Sequence, residues 1–235
     1  MPSSESGGLE NFWYSFDHGM VHFVQIDTET DLGHGIIGPD EPEGPEGDES
    51  GPFGLVNQQI NWLAKDLRTV DRKKTPWVVV GQFFPFQRLS LLFFLNTCYV
   101  VAGHRPSYVS SSDQCLPCMQ AFETTLNEFS VDLVLAGHVH AYERSAPIFQ
   151  NVTDPKELNN PRFPWYIVNG AAGHYDGLDT LNPGLSPFTR AAVDTHYGWS
   201  RLTFHNCTHL TQEFVSSADG SVLDSATLFK DRSCH

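Results

Sequence analysis

Residues 131–145, VDLVLAGHVHAYERS, decide how the rest of the chain is read. Asp132 to Ala136 is a short apolar run with β-branched residues, the pattern of a buried strand. Gly137 ends it, and His138 and His140 follow with one residue between them. In extended or turn geometry such a pair points at two sides of one small volume. That suits two metal ions lying side by side beyond the end of a strand, and ligands of α/β sheets collect at the carboxyl ends of strands. Two surface loop histidines are the plain alternative. The complete string GHVHAYER is far more specific than a bare His-x-His.

Upstream, residues 102–108 repeat the same punctuation, a strand-like run followed by Gly103 and His104. Two strands that each end in Gly-His can deliver two imidazoles to one place. Downstream, Asn169 opens a Gly-rich turn over 169–177, in which His174 and Asp176 are polar loop residues before they are ligands.

The string from Gly137 to Arg144 resembles the last metal motif of the purple acid phosphatases, within the calcineurin-like metallophosphoesterases. Gly103-His104-Arg105-Pro106 resembles the penultimate metal motif. Residues 11–23 (NFWYSFDHGMVHF) and 28–32 (TETDL) resemble the strand pair that follows the family's Asn-His motif. Residues 59–72 resemble the next helix, and 166–177 (YIVNGAAGHYDG) the strand and loop after the last motif. The likeness covers nearly all of the chain except 81–101 and is greatest to the fungal branch. It implies an α/β (α+β) fold: a partial four-layer α/β/β/α sandwich without its N-terminal half. Residues 1–235 then form the C-terminal part of one catalytic domain, with C-terminal strands over 195–230.

Composition fits this. The chain has 235 residues, 40% hydrophobic and 18% charged, so one sizeable core is possible. A net charge of −14 argues against a nucleic-acid surface and against polybasic attachment to a membrane. The sequons at Asn151 and Asn206, with the resemblance, imply a secreted glycoprotein parent, although residues 1–8 are polar and no signal peptide opens the chain. In that context Cys115, Cys118, Cys207 and Cys234 are disulfide candidates, with Cys98 left over. Cys115 and Cys118 lack the second ligand pair of a zinc knuckle and the βαβ setting of a redox motif, which favours a short-loop disulfide.

Taken in order, 1–8 reads as loop, and 12–16 and 20–26 as a hairpin turned at Asp17-His18-Gly19, with Val21, Phe23, Val24 and Ile26 buried. His18 and His22 are read as structural or solvent-facing. Residues 33–54 are an acidic Pro/Gly loop too polar to offset ordering entropy. Residues 57–70 form an amphipathic helix with Ile60, Leu63 and Leu67 on one face, and 76–80 a strand. Then 81–101, GQFFPFQRLSLLFFLNTCYVV, separates that strand from the His104 motif. It is too short for a transmembrane helix and would be a greasy insertion beside an active site. It reads as a retained intron translated in frame; a hydrophobic lid, an interaction helix or a membrane-contacting hairpin are the alternatives. Residues 117–129 read as a helix with Met119, Phe122, Leu126 and Phe129 on one face, and 149–163 and 178–194 as loops. Residues 164–169, 197–204, 209–215 and 222–228 read as strands, with a turn at Asp219-Gly220.

The resemblance implies acid phosphatase chemistry, hydrolysis of a phosphomonoester substrate by metal-bound hydroxide at a dinuclear centre. The cofactors would be Fe(III) plus a divalent Zn, Mn or Fe ion, with His140 on the iron and His104 and His138 on the divalent metal. Tyr142, Glu143, Arg144 and Asn169 would support the loops, Glu143 and Arg144 as an ion pair. The family's upstream Asp, Asp-Tyr and Asn-His motifs are not found, so no catalytic residue is assigned. Three imidazoles without a bridging carboxylate would hold at most one metal. The expectation is an inactive, poorly soluble chain with exposed sheet edges and core, from a phosphatase parent. The alternative is a non-catalytic pseudo-phosphatase fragment or one-metal remnant.

Overall fold

The computed structural model describes residues 2–28, 55, 57–83, 104–173, 175–181 and 184–233. In chain order the elements are α1 (Pro2–Ser6), β1 (Tyr14–His18), β2 (Val21–Asp27), α2 (Gln58–Thr69), β3 (Trp77–Phe83), α3 (Leu116–Glu128), β4 (Leu133–Ala136), β5 (Tyr142–Ser145), β6 (Ile148–Phe149), β7 (Val152–Thr153), β8 (Trp165–Asn169), β9 (Thr189–Val193), β10 (Gly198–Phe204), β11 (His209–Ser216) and β12 (Val222–Phe229). One sheet has the order β1-β2-β3-β4-β8-β5-β9, and a second the order β10-β11-β12. Strands β2, β3, β4 and β8 run parallel; β1, and β5 with β9, are antiparallel additions at the two sides.

Two rows of side chains explain why this sheet is buried on both faces. Phe23, Val79, Leu133 and Trp165 are in register across the parallel strands. They pack against Leu202, Leu210, Phe214 and Leu228 of the three-stranded sheet. The next row, Val24, Val80, Val134 and Tyr166, packs against Leu63 of α2 and Phe122 and Leu126 of α3. Strands covered on both sides read as continuous apolar runs rather than alternating ones. Each fully buried large side chain contributes about 1.5–3 kcal/mol. The layers are therefore helices, mixed sheet and antiparallel sheet, the α/β class expected from the sequence.

Local signals account for most ends. Cys115 caps α3, its sulfur accepting from Cys118 N, with Pro117 in the first turn where no backbone donor is needed. Cys115 and Cys118 are disulfide-bonded, with their Cα atoms 5.2 Å apart, and Cys207 is disulfide-bonded as well. Cys98 and Cys234 lie outside the described residues, as do 33–54.

The structure corrects several expectations. The start is a short helix, α1, because Trp62 Nε1 donates to Ser6 O (3.0 Å) and Ser15 N to Ser6 Oγ (3.2 Å); these tertiary bonds override a loop-like composition. The hairpin turn is one residue later than expected, with His18 opposite Val21 and Gly19 at φ 57°. Strand β3 does not stop at Val80. Gly81, Gln82 and Phe83 continue it opposite Gln25, Ile26 and Asp27, so the start of the expected insertion is sheet. The remainder, 84–101, lies outside the described residues. The expected loop 178–194 contains β9, paired to β5, and the expected loop 149–163 opens with the β6–β7 hairpin. Among the described residues, the part of the core around Phe23, Trp77 and Trp165 is covered by the three-stranded sheet.

Candidate active site

The site is built where β4 ends. β8 lies between β4 and β5, so the chain leaving β4 must cross over the end of β8 before returning as β5. Residues 137–141 make that crossing in two tight turns, with Val139 N donating to Gly137 O and Ala141 N to Val139 O, both at 2.8 Å. His138 adopts φ 64°, a left-handed conformation costing of order 1–3 kcal/mol in a non-glycine residue. Gly170, just past β8, lies directly beneath the crossing and donates to Ala141 O at 3.1 Å. A Cβ there would stand 2.1 Å from Val139 O, so only glycine fits.

The crossing brings two of the three expected histidines together. His138 Nδ1 and His104 Nε2 are 2.8 Å apart, and the rings meet edge to face at 89°. His104 O also accepts from Gly137 N at 3.1 Å, docking the His104 segment on the end of β4. The third, His140, is fixed through its backbone: its N donates to Asp179 Oδ2 (2.6 Å) and its O accepts from Asp179 N (3.1 Å). Asn169 is tied elsewhere, its Nδ2 donating to Ser200 Oγ at 2.8 Å while its Oδ1 accepts from Ala171 N.

In the His104–His138 contact one ring nitrogen donates and the other accepts, and both rings are ligands of the type that iron, zinc and manganese accept. Among the described residues no group of three or more His, Cys, Asp or Glu side chains is placed to hold a metal ion. His174 lies outside the described residues, and Tyr175 beside it is 91% exposed.

The expected Glu143–Arg144 ion pair is absent for a geometric reason: neighbours on a strand point to opposite faces. Arg144 forks onto Asp224 of β12, Nε to Oδ2 at 2.6 Å and Nη2 to Oδ1 at 3.0 Å. The Tyr142 hydroxyl joins that cluster, 2.7 Å from Asp224 Oδ2 and 2.9 Å from Gln212 Oε1, and its ring stacks on Phe214. Burial pushes the Tyr142 phenol up, and the Asp224 charge adds to the shift. Burial alone would raise the Asp224 carboxyl, but the bonds from Arg144 and Tyr142 outweigh it and hold it below the usual range. On the other face Glu143 accepts from Ser110 N (2.7 Å), Ser110 Oγ (2.7 Å) and Thr189 Oγ1 (2.5 Å). Ser110, Asp179, Thr189 and Asp224 were not legible beforehand. Only the glycine density of 169–177 hinted at Gly170.

Comparisons with known proteins bear on the family and the fold. Residues 163–225 match the family model described as "Iron/zinc purple acid phosphatase-like protein C". Over 232 residues the chain is 39% identical to "Acid phosphatase A" of Cryphonectria parasitica, covering 97% of this chain and 41% of that protein. It is 37% identical to "Acid phosphatase" of Aspergillus ficuum, covering 98% of this chain and 39% of that one. The solved purple acid phosphatase from yellow lupin (Lupinus luteus) seeds superposes with a TM-score of 0.67 at 26% identity, over 95% of this chain and 34% of that one. The chain spans about two fifths of the length of these curated relatives. Its sequence and its fold are those of the purple acid phosphatase family over the part of that family's length that it spans.

Proposed function

We propose that this chain carries the imidazole-bearing loops of a metal-dependent acid phosphatase acting on phosphomonoesters, and that by itself it does not turn substrate over. The observation that carries the reading is the meeting of His104 and His138 at the carboxyl end of β4, where the crossing loop also presents His140. Imidazole donors suit iron, zinc and manganese, and His104, His138 and His140 are the residues that would hold such an ion. A bound metal would supply Lewis acidity and an activated water. The contribution of this chain is to orient the imidazoles through Gly137, Gly170 and Asp179. The inactivity rests on the ligand motifs: the family's Asp, Asp-Tyr and Asn-His motifs are not found in this sequence.

The parent is proposed to be secreted and N-glycosylated at Asn151 and Asn206, both exposed. Among the described residues no helix is long and apolar enough to cross a membrane. Of the segment 81–101, the residues beyond the end of β3 are read as a retained intron, so a transcript lacking their codons is expected.

The test is zinc titration and p-nitrophenyl phosphate hydrolysis by the purified chain, with His138→Ala alongside. Zinc bound by the wild type and lost in the variant, without turnover in either, is the expected result. Turnover abolished by His138→Ala would overturn the inactivity. A wild type that binds no zinc would overturn the site and leave the alternative, a non-catalytic pseudo-phosphatase.

A further inference from the structure

We infer that Ser110 is a positioning residue, acting through the buried carboxylate of Glu143 to set the distance between the two imidazole-bearing segments. The inference rests on the reading of His104 and His138 as metal donors, and it deepens that reading. His104 begins a stretch, 104–115, that contains no helix or strand of its own. Such a stretch takes its position from what holds it. Other parts of the chain hold it too, Thr28 Oγ1 accepting from Arg105 N at 3.2 Å, but three ties run to the crossing loop and β5. Gly137 N donates to His104 O. Val109 packs with Val139, Ala141 and Val168 in a small apolar cluster. Ser110 is gripped twice by Glu143, three residues beyond His140.

The hydrogen-bond inventory of this grip requires a carboxylate. Ser110 Oγ accepts from Ser186 N at 2.8 Å, which directs its own proton to Glu143 Oε1 at 2.7 Å. Thr189 Oγ1 donates to the same oxygen, while Ser110 N takes Oε2. Three donors converge on two oxygens of a side chain only 2% exposed. A carboxylate accepts at both oxygens and an amide at one. Arg144 points to the opposite face, so neutral donors alone hold Glu143 in these bonds. The link therefore depends on geometry, and losing one donor loosens the path from β5 to His104.

The two partners of Glu143 separate this role from plain stability. Thr189 Oγ1 touches Ser110 Oγ as well, at 3.0 Å, but Thr189 belongs to β9 at the sheet edge, whereas Ser110 belongs to the stretch that carries His104 and keeps both of its bonds to Glu143 when Thr189 is replaced. In the full chain, Ser110→Ala, Glu143→Gln and Thr189→Val would be compared by imidazole nitrogen NMR of His104 and His138, by zinc titration and by thermal melting. Ser110→Ala and Glu143→Gln should shift the imidazole signals and weaken zinc about tenfold or more, as loss of groups that orient ligands does. Thr189→Val should lower the melting temperature yet leave both site readouts near wild type. Equal changes in all three variants, or unshifted signals in Ser110→Ala, overturn the inference. A wild type that holds no zinc defeats the metal reading alone, and the nitrogen signals still decide the positioning role.

Discussion

The two ends of β4 are held in opposite ways. At its amino end Asp132, whose side chain is fully buried, meets three cations. Arg72 Nη1 lies at 2.9 Å and Lys230 Nζ at 3.8 Å, and Arg232 donates as well while its guanidinium covers the Trp77 ring. Val78 N donates to the same carboxylate at 2.9 Å. The described carboxyl end is shaped differently. A left-handed His138, a glycine with no room for a Cβ and a carboxylate held by neutral donors define the crossing. Charge density is spent on clamping the scaffold, and the site end is shaped by close approach. An ion pair tolerates small displacements because Coulomb attraction falls slowly with distance. A glycine whose added Cβ would stand 2.1 Å from a carbonyl oxygen tolerates none.

The strongest way to break this contrast is at Asp132. Asp132→Ala leaves three cations around an apolar side chain and should destabilise by about 3–5 kcal/mol, read as a lowered urea midpoint. If it costs no more than a surface change, the amino end is not the clamp. Gly170→Ala comes next. It should cost about 1–3 kcal/mol by overpacking and shift the imidazole signals of His138 and His140 out of proportion to that loss. Unmoved signals would mean the crossing yields more readily than its geometry implies.

The smallest effect concerns pH. His22 lies between Asp17 (2.7 Å) and Asp66 (2.9 Å), joining the β1–β2 hairpin to α2, with Lys74 3.6 Å from Asp17 and Ser15 Oγ 2.5 Å from Asp66. Burial alone would lower its pKa, but the bonds to Asp66 and Asp17 outweigh it, and the net shift is upward. A raised folded pKa gives stability that is complete below the unfolded value near 6.5 and is lost as pH rises through the folded value. Melting followed across that window should show the loss in wild type and a flatter profile in His22→Gln. Identical profiles would remove His22 from the scaffold's electrostatics.

These contrasts mark what the sequence could reveal. The apolar runs at 76–80, 132–136 and 164–169 identified strands, and the GHVHAYER string located the histidine loop. Pairings across long separations were hidden. Nothing near Arg144 announces Asp224, and Glu143 looked like the partner of Arg144 because adjacency in sequence is not adjacency on a strand. Strand β9 was obscured because it reads as half-polar and is fixed only by pairing with β5. The short helix α1 was missed because its anchors, Trp62 and Ser15, belong to other elements.

The crossing over β8 also sets an order of events during synthesis. β4 and β5 leave the ribosome almost together, but the place between them stays vacant until residues 165–169 emerge and fill it. Only then does Gly170 arrive to floor the loop. Long-range pairings of this kind form late because the loop they close must first be ordered. The histidines are thus made early and aligned late. A nascent chain stalled before residue 165 would expose all three imidazoles, unaligned, to any metal ion in its surroundings.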